Sequence, residues 1–128
     1  MEIVHQNAIS LAWMGDAIMT MYVRKHFLLK GIQNPHKLQR MSAKVCSAKG
    51  QSVILDTLIQ EDFFNADEKE ILRRGRNASP HTKAKNATSE QYMKATALEA
   101  CLGYLYLYDH AERLNVLMDR IIQLGDQL

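Results

Sequence analysis

The chain has 128 residues, of which 47% are hydrophobic and 23% are charged. This is the balance of an ordinary globular protein, and the length predicts one domain over residues 1–128, too short for two. The formal net charge of +2 does not by itself indicate a nucleic-acid-binding protein, so attraction to a polyanion has to come from local clusters of charge.

Neither a secreted nor a membrane protein is predicted. Glu2 and His5 interrupt the N-terminal stretch, and the longest apolar run, residues 95–108, is shorter than a bilayer span and contains Glu99. Cys46 and Cys101 lie in apolar surroundings without zinc-ligand spacing, as is typical of reduced cysteines. We therefore expect a cytoplasmic protein with no membrane partner.

Helix-boundary signals and the absence of strand alternation predict an all-α fold. The first helix is predicted over residues 7–30, because Gly31 follows as a helix-ending residue. Asn34 and Pro35 form an N-cap followed by proline at the first helical position, which predicts a second helix to about residue 58.

The second half of the chain is predicted to hold three further helices. Asn65, with an acid three residues later, opens a short helix that ends at Arg74 before Gly75. Residues 76–87 are polar and basic and include Pro80, which predicts a loop.

The last two helices are both predicted from capping boxes. Thr88 with Gln91 opens a helix to residue 108, and Asp109 with Glu112 opens a final helix, which Gly125 ends.

Glu99 is the only charged residue in the apolar stretch 95–108. Residues three and four positions away on the same helix offer it no partner. Burying an unpaired carboxylate costs several kcal/mol, so Glu99 needs a cation or a proton. Two interpretations stay open at this point: a structural ion pair with an Arg or Lys of another helix, or a metal ligand.

Asp16 stands in a similar setting, alone among the uncharged residues 11–23. Gly15 beside it leaves room for a close approach, although an aspartate that caps or kinks the helix is an alternative. Two carboxylates brought together repel unless a cation lies between them, and Mg²⁺ commonly binds through one or two carboxylates. We therefore predict that Asp16 and Glu99 bind Mg²⁺, with Mn²⁺ as a substitute, in a hydrolase site.

Five positive charges occur without a single acid in residues 73–85: Arg73, Arg74, Arg76, Lys83 and Lys85. This pattern favours binding to phosphate groups, although many basic runs are only solvated surface. No aromatic residue lies among them, which argues against stacking on single-stranded bases.

These segments together resemble the ribonuclease III catalytic domain, and specifically its short bacterial form, the Mini-ribonuclease III subfamily. Residues 11–17, LAWMGDA, are similar to the signature whose Gly-Asp carries a metal-binding aspartate. Residues 98–107, LEACLGYLYL, are similar to the second signature, with its metal-binding glutamate. Residues 73–77, RRGRN, are similar to an insertion of the short form.

The resemblance implies a helical homodimer that cleaves double-stranded RNA, with Asp16 and Glu99 as catalytic metal ligands in each subunit. It implies that Trp13 contacts the partner subunit and that the substrate is a precursor of large-subunit ribosomal RNA. Without a separate double-stranded-RNA-binding domain, RNA has to be held by the catalytic dimer, chiefly through the basic segment.

The chain departs from longer family members at three positions where they carry acids. It has Ile9, Ala12 and Thr96 there, which weakens the case for two firmly bound metals per site. Two other functions stay open: a helical metal-dependent nucleotide pyrophosphohydrolase, which usually needs more clustered acids, and a non-catalytic RNA-binding or ribosome-assembly factor.

Overall fold

A computed structural model describes residues 1–78 and 87–128. In this part of the chain there are helices and no strands, as the sequence predicts. The helices are α1 (Ala8–Leu29), α2 (Pro35–Cys46), α3 (Ala48–Gln60), α4 (Ala66–Ala78), α5 (Ser89–Leu107) and α6 (Ala111–Gly125). None of these six is long and apolar enough to cross a membrane.

Helix α1 begins and ends as predicted. The Asn7 side chain accepts a hydrogen bond from the Ser10 N–H at 2.8 Å and so caps the first turn. At the other end Gly31 has a φ of +89°, a left-handed conformation that glycine adopts without strain. The Gly31 N–H donates to the carbonyl of Leu28 at 3.0 Å. Glycine therefore ends the helix at the predicted position.

The single helix predicted between Pro35 and residue 58 is wrong, because the chain breaks it at Ser47. Ser47 is extended, with φ −63° and ψ 158°, and its hydroxyl accepts from the Gly50 N–H at 3.1 Å. Gly50 lies against α2 so closely that an added Cβ would be 2.0 Å from the carbonyl oxygen of Lys44. A serine cap and a close helix contact thus turn one predicted helix into α2 and α3.

Helix α4 runs through Gly75 to Ala78, so the predicted end at Arg74 is wrong. Gly75 is buried against α5, where an added Cβ would lie 2.9 Å from the Ala97 Cα and 3.0 Å from the Ala100 Cβ. The glycine permits close packing of two helices and does not end one. Arg76 therefore lies on α4 and not in a loop, and residues 79–86 of the predicted loop lie outside the described residues.

The capping box predicted at Thr88 is confirmed, and the one predicted at Asp109 is wrong. Thr88 and Gln91 exchange two hydrogen bonds of 3.0 and 3.1 Å at the start of α5. Asp109 instead has a φ of 60° and belongs to the turn that ends α5. His110 precedes the first residue of α6 and makes no side-chain capping bond.

Helix α5 lies at the centre of the fold and packs against α1, α3, α4 and α6. The side chains of Leu98, Cys101, Leu102 and Leu105 are buried on it. A helix surrounded in this way is buried on nearly all sides, which explains its almost uniformly apolar sequence. Glu99 is therefore carried into the interior by its neighbours.

Candidate active site

Close contact between the backbones of α1 and α5 brings the two predicted carboxylates together. A Cβ added to Gly15 would lie 1.7 Å from the carbonyl oxygen of Glu99, and one added to Gly103 would lie 2.0 Å from that of Leu11. Each helix thus contributes a glycine to the crossing. Asp16 follows Gly15 directly, so the crossing places Asp16 beside Glu99.

Asp16 and Glu99 both line a cleft of about 400 Å³ between α1, α5 and the corner where α2 meets α3. Asp16 is exposed and Glu99 is partly buried. Helix α1 continues unbroken through Asp16, so the structure does not support a capping or kinking role for this residue.

Glu99 forms no ion pair with a Lys or Arg among the residues that the structure describes. Burial, a hydrogen bond to Asp16 and the charge of Asp16 together raise the pKa of Glu99 to about 8. Glu99 therefore holds a proton near neutral pH unless a cation replaces it. The first interpretation of Glu99, a structural ion pair with a Lys or Arg, is therefore not found among the described residues.

Gln51 is a site residue that the sequence did not reveal. Its Nε2 donates to the Glu99 Oε2 at 3.3 Å and to the carbonyl of Cys46 at 3.0 Å. Because both partners are acceptors, the amide nitrogen has to face them. The Oε1 of Gln51 is buried without a hydrogen-bond partner among the described residues. The direction of the Gln51 side chain depends on the helix break at Ser47. Because the sequence did not predict that break, it gave no signal that Gln51 faces the cleft.

Cys46 also lines the cleft, but as a neutral thiol. Burial and the negative charges of Asp16 and Glu99 raise its pKa to about 11, and nearby Arg24 offsets this only in part. A protonated thiol is neither a metal ligand nor a nucleophile.

The donor atoms of the cleft fit a cation that prefers oxygen ligands. Two carboxylates and a side-chain amide are present, whereas no group of three or more His, Cys, Asp or Glu side chains in the described ranges is placed to hold a metal. Mg²⁺ needs few protein ligands because it keeps several of its waters. A structural zinc site would need four nitrogen or sulfur ligands.

Comparison with known proteins identifies the family to which this cleft belongs. A family model described as the Ribonuclease III domain matches residues 9–110, which include both carboxylates. The chain belongs to the ribonuclease III family. Ribonuclease III proteins are metal-dependent endonucleases that act on double-stranded RNA, and this chain is an endoribonuclease of that class.

Individual relatives place the chain among the short members of the ribonuclease III family. It is 46% identical to Mini-ribonuclease 3 of Staphylococcus aureus over 94% of this chain and 90% of that protein. It is 43% identical to Mini-ribonuclease 3 of Streptococcus pneumoniae over 91% of each chain. A crystal structure of a Fusobacterium nucleatum protein, 29% identical, superposes with a TM-score of 0.81 and covers 93% of both chains.

The three positions noted in the sequence as departures from the resemblance all lie in this cleft. Ile9, Ala12 and Thr96 line it together with Asp16 and Glu99. The hydroxyl of Thr96 donates to the carbonyl of Tyr92 at 3.0 Å. Uncharged side chains at these positions leave the cleft with two carboxylates, those of Asp16 and Glu99.

The arginines predicted to bind RNA lie on α4, where Arg73 and Arg74 are exposed and Arg76 is partly exposed, and none of them lines the cleft. Arg73 and Arg74 pair with Glu70, three and four residues before them, at 2.6 and 3.1 Å. Arg76 pairs with Glu90 at 2.5 Å. These two acids flank the acid-free stretch, so its positive charge is partly neutralised. Lys83 and Lys85, also predicted to bind RNA, lie outside the described residues.

Trp13 is among the most exposed large apolar residues described, with 80% of its surface accessible. Met21 and Leu28, which follow on α1, are also more than half exposed. A row of large apolar side chains on one helix is typical of an interface with another protein.

Proposed function

We propose that Asp16 and Glu99 are the catalytic metal ligands of this endoribonuclease and that the metal is Mg²⁺, for which Mn²⁺ can substitute. One observation carries the proposal: two carboxyl groups meet in a partly buried cleft, where burial and the neighbouring Asp16 raise the pKa of Glu99 to about 8 and no Lys or Arg of the described residues pairs with it. A divalent cation removes the repulsion that this arrangement creates.

A cation held by Asp16 and Glu99 would supply positive charge to polarise a phosphodiester and to lower the pKa of a water molecule. The protein's own contribution is to hold the ligands in position. Gln51 donates to the Glu99 Oε2 and so fixes the direction of that carboxylate. Its second hydrogen bond, to the carbonyl of Cys46, connects the carboxylate to the rigid corner between α2 and α3.

We propose a homodimer in which Trp13 contacts the partner subunit. The exposed apolar row on α1 begins beside the cleft, since Trp13 also lines it. One small subunit with one site cannot reach both strands of a duplex. Replacing Trp13 with Lys is expected to yield monomers in sedimentation velocity, whereas Leu29→Lys, a control at the exposed end of α1, is expected to remain dimeric.

The basic segment Arg73, Arg74, Arg76, Lys83 and Lys85 is proposed to contribute RNA contacts. Its arginines would have to exchange Glu70 and Glu90 for phosphate oxygens, which is feasible because these exposed ion pairs are weak.

Residues 1–128 would act as one catalytic domain. We further propose precursors of large-subunit ribosomal RNA, in the cytoplasm, as the substrate. Sequencing the RNA ends that change on depletion of the protein tests the substrate.

Cleavage assays with matched substrates test the reaction. The protein is incubated with Mg²⁺, Mn²⁺ or EDTA and with duplex RNA, either of its single strands, or nucleoside triphosphates. We expect cleavage of the duplex alone, with either metal and not with EDTA. Hydrolysis of triphosphates would indicate a pyrophosphohydrolase. Binding of the duplex without cleavage would indicate a non-catalytic factor.

A further inference from the structure

The positive charges of the described residues fall into two groups that differ in their partners. Outside residues 24–49, every described Lys and Arg forms an ion pair with a carboxylate. Within that range only Lys30 does so, with Asp126. The described cations that have no ion pair are Arg24, Lys25, Lys37, Arg40, Lys44 and Lys49.

The sequence explains this division. Residues 17–55 contain no Asp or Glu. Helix α2, which lies within this stretch, therefore has no acid within reach along its own turns. An overall charge of +2 hides this asymmetry, because acids elsewhere in the chain balance the total.

Three of these cations converge on one exposed groove, which we call the basic groove. Arg40, Lys44 and Lys49 line it together with Ala43, Ser47, Gly50, Val53 and Leu128, and it encloses about 550 Å³. All three are exposed. Lys37 lies one turn before Arg40 on the same face of α2 and extends the positive surface. The opposite face of α2 carries Val45 into the core.

The basic groove adjoins the carboxylate cleft along the chain and in space. Cys46, Ala48 and Gln51 line the cleft, and Lys44 and Lys49 flank these positions. The corner between α2 and α3 thus presents the Gln51 amide to the carboxylate cleft on one side and unpaired cations to the basic groove on the other. Consecutive residues therefore line the two sites: Ala48 and Gln51 face the cleft, and Lys49 and Gly50 face the groove, so a phosphodiester strand in the cleft passes close to the groove.

We infer that the basic groove binds the phosphate backbone of duplex RNA beside the bond that is cut. The inference rests on the proposed function and adds to it a second RNA contact, distinct from α4. Arg40, Lys44 and Lys49 can bind phosphate without first breaking an ion pair, in contrast to Arg73 and Arg74. Duplex RNA presents its phosphates regularly along an A-form helix, so such contacts recognise shape and not sequence.

The test compares two triple variants that each remove three positive charges. Arg40→Gln/Lys44→Gln/Lys49→Gln removes the unpaired cations of the basic groove. The control, Lys30→Gln/Lys69→Gln/Arg120→Gln, removes three cations that lie outside the basic groove and are each paired with a carboxylate. Affinity for a labelled RNA duplex is measured by fluorescence anisotropy in EDTA over a range of salt concentrations, and thermal unfolding confirms that each variant is folded.

We expect the groove variant to lose about tenfold to a hundredfold in affinity and its salt slope to flatten by roughly two to three. The control should change less than about threefold, because paired cations release few counterions. Equal losses in both variants, or none in the groove variant, would overturn the inference. If the triple variant does not fold, Lys49→Glu alone is measured under the same conditions and decides by the same criteria.

Failure of the proposed function gives a different result. A wild-type protein that neither binds nor cleaves duplex RNA would overturn the proposed function, and the inference with it. A wild-type protein that binds and cleaves duplex RNA, with the groove variant unaffected, would overturn the inference alone.

Discussion

Glu68 and Glu99 are both carried on helices into the interior, and they compensate their burial in opposite ways. Glu68 is 1% exposed and its two oxygens accept from Arg113 at 2.7 and 2.8 Å. Its Oε1 also accepts from the Asn65 N–H at 3.0 Å. Glu99 instead faces another carboxyl group, that of Asp16, and an amide, that of Gln51.

Burial alone therefore does not distinguish a structural carboxylate from a functional one. Arg113 completes the environment of Glu68: it also donates to the carbonyl of Phe63 and lies 4.2 Å from the centre of the Phe63 ring. Such a glutamate needs nothing further. Glu99 has a raised pKa, because its surroundings favour the neutral form until a cation is bound.

The largest expected effect comes from removing either negative charge of the cleft. Asp16→Asn and Glu99→Gln should each reduce cleavage of duplex RNA at least about 10³-fold, equivalent to about 4 kcal/mol of transition-state stabilisation, because the metal is lost. Single-turnover cleavage measures this, and circular dichroism should show an unchanged fold. Glu68→Gln, assayed well below its unfolding transition, is the matched control and should remain active. Normal turnover by Asp16→Asn would refute the site assignment.

Removing the charge of Glu68 should lower the free energy of unfolding more than removing that of Asp16 or Glu99. Glu68→Gln leaves the half-buried Arg113 without its partner and should lower the free energy of unfolding by about 2–3 kcal/mol. Urea denaturation measures the loss. The double variant Glu68→Gln/Arg113→Met should recover part of it, since an apolar pair avoids the unpaired charge. A loss below about 0.5 kcal/mol would show that the ion pair contributes little.

The sequence predicted Glu99 more readily than Glu68 for a physical reason. Glu99 is the only charge in an apolar helix, whereas Glu68 follows an N-cap and is fully explained by the capping box that it does form. The ion pair between Glu68 on α4 and Arg113 on α6 depends on tertiary packing. No local sequence pattern indicates that packing. Gln51 was missed because its direction depends on the helix break at Ser47.

The fold was predicted where boundary signals are strong and missed where packing decides. Asn7 and Gly31 end α1 as expected, because a cap and a positive-φ glycine are local devices. Gly75 predicts a helix end from its residue type alone, but in the structure it makes room for α5 inside α4. Arg73 and Arg74 pair with Glu70 because it lies one helical turn before them, outside the acid-free stretch 73–85.

Gln51 should have an intermediate effect on the cleft. Gln51→Leu removes the hydrogen bond that directs Glu99, so it should lower the rate of cleavage about tenfold and weaken Mn²⁺ binding. Calorimetric titration of Mn²⁺ separates this positioning role from a purely structural one. The matched control is Gln60→Leu, at the exposed end of α3. Unchanged Mn²⁺ affinity with unchanged cleavage would remove Gln51 from the site.

The smallest expected effect is a pH-dependent gain in stability for Glu99→Gln in EDTA. Burial and Asp16 raise the pKa of Glu99 to about 8, so between its ordinary value and pH 8 the folded protein binds more protons than the unfolded chain. Stability conferred by this group is therefore present at low pH and is lost as pH rises. The glutamine variant escapes that loss and should unfold a few degrees higher at pH 9, with little difference near pH 5. A gain that shrinks with rising pH would contradict the raised pKa.

Anomalous diffraction from crystals grown with Mn²⁺ tests the assignment of the metal most directly. We expect one strong peak in each subunit, about 2.0–2.2 Å from carboxylate oxygens of both Asp16 and Glu99. The peak should vanish in Glu99→Gln and persist in Glu68→Gln. A peak that lies elsewhere, or that remains unchanged in Glu99→Gln, would contradict the claim that these two carboxylates hold the catalytic metal.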